Sequence, residues 1–137
     1  MSDTTTLSHE YETSATFAET VNQAVVRLKK ERLGRQVVPS DATEARTTMV
    51  ELLEAVAASL GAASRPRHAI SVPNEVLERL VTKHSNQLTY FQDDLVETAA
   101  ALNRGTPVSD AALKVLEEVS DAADATASAS FRRLRRR

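Results

Sequence analysis

Apolar residues recur every three or four positions in four separate stretches of this chain, and each stretch predicts a helix. Phe17, Val21, Ala24, Val25 and Leu28 share one face of a helix over 14–33. Ala45, Met49, Leu52, Leu53, Val56 and Leu60 do the same over 41–60. The longest stripe predicts a single helix over 74–104 and runs through Leu77, Leu80, Val81, His84, Leu88, Phe91, Leu95, Ala99 and Leu102. Ala112, Leu116, Val119, Ala123, Ala127, Ser130 and Leu134 predict a fourth helix over 109–134.

The residues between these stripes are helix punctuation. Gly34, Gly61 and Gly105 stand where three helices should stop, because glycine accepts the left-handed conformation that ends a helix. Pro107 follows Gly105, and Ser109 offers a side-chain oxygen to cap the fourth helix. Pro39 breaks the chain after the first helix. Ser40 or Asp41 then offers an N-cap, with Glu44 completing a capping-box pattern behind Asp41. Pro66 and Pro73 bracket a loop, and Pro73-Asn74 opens the third helix.

Short connections between amphipathic helices predict an all-α, up-down-up-down four-helix bundle with a longer C-terminal helical hairpin. The turn at Gly105–Ser109 sets the register of that hairpin, with Phe91 near Ser120, His84 near Ala127 and Leu77 near Leu134. Residues 1–13 are polar and unpatterned and read as a flexible N-terminal arm. Residues 14–137 read as a single helical-bundle domain with a basic C-terminal tip.

Composition agrees with long, thin helices. Of 137 residues, 21 are Ala, against three Gly and four Pro. Aromatics are only 4%, so the core rests on aliphatic side chains. With no Cys, disulfides, thiolate catalysis and Cys-based zinc sites are excluded. No stretch approaches the roughly 20 apolar residues that a transmembrane helix needs. The N-terminal residues lack the basic and apolar regions of a secretory leader, and cytoplasmic residence is the expectation.

Charge is where the chain departs from the ordinary. Formal net charge is −2, but five of the 17 Lys and Arg residues are Arg132, Arg133, Arg135, Arg136 and Arg137. The chain before them carries 12 basic and 19 acidic residues. One or two cations suffice to complement the macrodipole at a helix C-terminus. Five exceed that need and predict a docking tip for an anionic partner. In an up-down bundle, Arg65 and Arg67 in the loop before Pro73 lie at the same pole and assist. A nucleic-acid-binding or regulatory role for this pole is the alternative. An acidic body, no aromatic stacking platform and no helix-turn-helix spacing argue against it.

His84 is the second candidate. It sits on the longest stripe, and a histidine on a helical hairpin is how phosphotransfer domains present a phospho-accepting imidazole. The resemblance is weak: no acidic residue follows His84 and no ATP-binding region is present. The stripe aims His84 inward, which predicts a structural, hydrogen-bonded histidine. His9, Glu10 and Glu12 lack the rigid second shell that a metal needs. No catalytic, cofactor or metal motif is present, and no enzyme is expected.

The expected function is that of a non-enzymatic helical interaction, assembly or adaptor protein. Its helical interface is expected at Leu77, Leu80, His84, Leu88, Phe91, Leu95, Leu116, Val119, Ala123 and Ala127. That stripe is longer than the first two helices can cover, which predicts self-association, as a dimer, or a helical protein partner through helices three and four.

Overall fold

A computed structural model describes the backbone of residues 2–34, 39–61 and 71–135, and the side chains within 14–34, 43–61 and 71–129. The described residues form five helices and no strand: α1 (Ser2–Arg32), α2 (Pro39–Ser59), α3 (Asn74–Lys83), α4 (Leu88–Asn103) and α5 (Asp110–Arg135).

The stripes of α1, α2 and α5 do what their spacing requires. Phe17, Val21, Ala24, Val25 and Leu28 are buried, and so are Ala45, Met49, Leu52, Leu53 and Val56. Leu116, Val119 and Ala123 join the same core from α5. No Gly or Pro falls between positions 2 and 32, and α1 accordingly starts at Ser2 rather than at position 14. α2 begins at Pro39 itself, because proline's fixed φ suits the first helical position and its missing N–H is not needed there.

Helix ends follow the punctuation. Gly105 has φ +79, a region that L side chains enter only with strain. Its N–H donates to the Leu102 carbonyl at 3.1 Å, and the Thr106 N–H donates to the Ala101 carbonyl at 3.0 Å. These paired bonds form a Schellman motif and satisfy the last carbonyls of α4. Ser109 Oγ accepts the Ala112 N–H at 3.1 Å, the N-cap expected for α5.

The long third helix is not one helix. It stops at Lys83 and restarts at Leu88, dividing the expected span into α3 and α4. His84 leaves helical geometry at φ −110, ψ 24, and Gln87 does so at φ −139, ψ 34. Ser85 and Asn86, between them, favour turns because their short polar side chains compete for backbone bonds. The Gln87 N–H donates to the His84 carbonyl at 2.9 Å, closing a turn in place of helix.

That break changes the packing. α1 packs against both α2 and α5, α2 packs against α4, and α3 lies on α5. α2 and α4 cap each other. Gln92 on α4 donates to the Leu60 carbonyl beyond the end of α2. Arg46 on α2 donates to the carbonyls of Leu102 at 3.3 Å and Thr106 at 3.0 Å, at the end of α4. Arg46 also pairs with Glu31 of α1. Three helices are thereby held at one corner by a single guanidinium, whose planar fork of donors suits this divided task.

Candidate functional site

α5 meets its neighbours differently on its two sides. Toward α1 the seam is closed. Asn22 donates to Asp124 at 2.6 Å and accepts the hydroxyl of Ser120. Lys29 pairs with Glu117 at 3.5 Å, and Arg32 pairs with Asp110. Residue numbers fall along α5 as they rise along α1, so the two helices run antiparallel. Toward α4 the seam is open. A cleft of about 670 Å³ lies between the two helices, within the usual size range of ligand-binding clefts.

His84 closes one end of this cleft. Its ring stacks on Phe91 with centroids 3.9 Å apart and planes within 5°. Its Nε2 lies 2.7 Å from Glu118 Oε2 on α5. Nε2 makes no directed hydrogen bond there, so the two groups meet as a close polar contact. Lys83 Nζ stands 3.8 Å from the other oxygen of Glu118. The His84 and Glu118 side chains are 18% and 14% exposed. One residue at the helix break therefore joins α3, α4 and α5.

The rest of the cleft has an apolar floor and a charged rim. Ala101, Ala112 and Val115 lie along it with Phe91 and the buried Thr98. Tyr90, Asp94 and Glu97 stand on the α4 side, with Arg104 and Lys114 toward the loop that leads into α5. Ser109 also lines the cleft, but its oxygen is engaged as the α5 cap. Among the described residues, no group of three His, Asp or Glu side chains is arranged to hold a metal ion.

The expected hairpin register does not hold. His84 lies level with Glu118 rather than with Ala127. The helix is interrupted between Lys83 and Leu88, so the register expected for one continuous helix is not carried back to His84. Eight of the ten expected interface positions belong to the core of the chain or pack against it. Leu80, Phe91, Leu95, Leu116, Val119 and Ala123 are buried, and Leu77 and Ala127 are partly buried against the same core. Leu88 and His84 are half-buried. Val81, read as part of the stripe, is 39% exposed because α3 buries only Val76 and Leu80.

Of the expected docking residues, Arg132, Arg133 and Arg135 belong to the α5 helix, with side chains outside the described set. Arg65, Arg67, Arg136 and Arg137 lie outside the described residues. Sequence reasoning missed Glu118, Tyr90, Asp94, Glu97 and Arg46. The open face of α4 had a signal, since Tyr90, Asp93, Asp94 and Glu97 fall off the apolar stripe. Among the described residues, no helix is long and apolar enough to cross a membrane. No protein-family model, curated protein or solved structure matches the chain.

Proposed function

We propose that this chain is a non-enzymatic helical interaction and assembly protein that docks an anionic partner through the Arg-rich end of α5. The observation that carries the reading is the continuity of α5 from Asp110 to Arg135. Its first half is rooted in the core through Leu116, Val119 and Ala123. Arg132, Arg133 and Arg135 thus extend a helix whose base is fixed, and less ordering entropy is lost when a partner binds. Arginine stays charged at physiological pH and grips carboxylate or phosphate with two parallel bonds.

The wider arrangement is read as an up-down-up-down set of α1, α2, α4 and α5, with α3 laid against α5. The antiparallel cross-links of α1 with α5 and of α2 with α4 support it. A structural role for His84, rather than phosphotransfer, is supported by its placement between Phe91 and Glu118. A phospho-accepting imidazole must present a ring nitrogen to the donor, and Nε2 here faces the Glu118 carboxylate instead.

Truncation after Phe131 tests the reading. Far-UV circular dichroism and the melting midpoint should stay nearly unchanged. Retention on immobilised polyglutamate should fall, and retention of the full chain should weaken with salt. If the truncated protein is retained as well as the full chain at low and high salt, the end of α5 is not a docking element. Stronger retention on duplex DNA than on polyglutamate would favour the nucleic-acid alternative.

A further inference from the structure

The Arg-rich end of α5 has a complementary surface on its own chain that it cannot itself reach. Tyr90 on α4 is 71% exposed, and Val96 is 38% exposed. Asp93, Asp94 and Glu97 are exposed beside them. Among the described residues these three carboxylates take part in no ion pair.

We propose that the α4–α5 cleft and the acidic face of α4 receive the Arg-rich end of α5 from a second copy of the chain. The proposal rests on the docking role of that end and names its partner. Its first support is chemical fit. The end reads FRRLRRR, with Phe131 and Leu134 three residues apart and therefore on one face of a helix, flanked by arginines. The cleft offers the matching pattern, with small apolar residues on its floor and carboxylates on its α4 rim. The exposed ring of Tyr90 adds a face on which a guanidinium stacks.

Reach is the second support. The cleft runs beside the first part of α5, from Ala111 to Glu118. Arg132 stands further along the same unbroken helix, about 21 Å beyond Glu118 at 1.5 Å per residue. A continuous helix cannot fold its end back onto its own base, so the contact must join two molecules. Arg104 and Lys114, toward the α4–α5 loop, repel the incoming arginines and steer them to the half of the cleft nearer Tyr90. Reciprocal seating closes a two-fold pair, whereas one-way seating extends a chain of copies.

Two variants that each lack one half of the contact test it. One is truncated after Phe131 and keeps the cleft. The other carries Asp94→Lys and Glu97→Lys and keeps the arginines. Analytical ultracentrifugation should show self-association of the wild-type chain, weakened by roughly tenfold between low and high salt as the charges are screened. Each variant alone should be monomeric, and an equimolar mixture should recover a one-to-one complex. Asp94→Asn with Glu97→Gln supplies a milder version if charge reversal disturbs folding, and it should weaken association in the same direction. Variants that associate as strongly as wild type would overturn the proposal, as would a mixture that stays monomeric. A wild-type chain that is monomeric throughout also overturns it. If that monomer still binds polyglutamate through the end of α5, the docking role survives alone. If it does not, both fall.

Discussion

The two sides of α5 show what closing a helix seam requires. Against α1, the buried residues Val119 and Ala123 meet a neighbour bearing Val21, Val25 and Leu28, and polar ties recur from Asp110 to Asp124. Small side chains such as Ala122 and Ala123 allow close approach, and the ties sit outside the apolar contact. Against α4, the His84–Glu118 junction holds one end and a cleft occupies much of the rest. The difference traces to the break at His84–Gln87. With α3 laid on α5 and α4 packed on α2, α4 has spent its apolar stripe elsewhere and offers α5 a largely polar flank.

The largest expected effect breaks the closed side. Leu28→Ala removes a fully buried side chain from α1 and should cost about 2–5 kcal/mol in chemical denaturation. Next is Arg46→Ala. It leaves Glu31 without this cation and takes one donor each from the Leu102 and Thr106 carbonyls, of which Leu102 keeps the Gly105 N–H. A loss of about 2 kcal/mol is expected, in line with hydrogen bonds to charged groups. His84→Leu tests the joint between the two sides. It removes the contact with Glu118 while keeping some packing, and about 1–2 kcal/mol should be lost. A double-mutant cycle with Glu118→Gln should show clear coupling, since the two side chains touch. Smallest is Glu97→Gln on the open side, where stability should move by less than about 0.5 kcal/mol. A loss at Glu97 comparable to that at His84 would mean that the cleft is closed in solution.

Much of the fold was legible in the sequence, and the failures share a cause. The stripes of α1, α2 and α5, the three glycine stops and the Ser109 cap were readable because each is a local property. The break in the third helix was not. Leu80, His84, Leu88 and Phe91 keep helical spacing across it, and one non-helical turn is invisible to periodicity. Only the weak helix formers Ser85 and Asn86 mark the place. That single miss propagated. It shifted the hairpin register by more than two turns and hid Glu118 as the partner of His84. It also turned a stripe expected to face a second copy into ordinary core, as Leu95 and Leu116 show. The role of Arg46 was illegible for another reason: its acceptors are backbone carbonyls at a helix end, and no residue type announces them.

Carboxylate footprinting of the intact protein tests most directly whether the α4 side of α5 is an open, partner-accepting surface. A water-soluble carbodiimide with an amine label reads each Asp and Glu by its access to solvent. In dilute protein, Asp93, Asp94 and Glu97 should label fast and Glu118 slowly. As the protein is concentrated at low salt, labelling of Asp94 and Glu97 should slow while that of the exposed Asp121, on α5 beyond the cleft, stays constant. Slow labelling of Asp94 and Glu97 at every concentration would mean that the cleft is closed within the chain. Fast labelling that concentration leaves unchanged would mean that the open side receives no second copy.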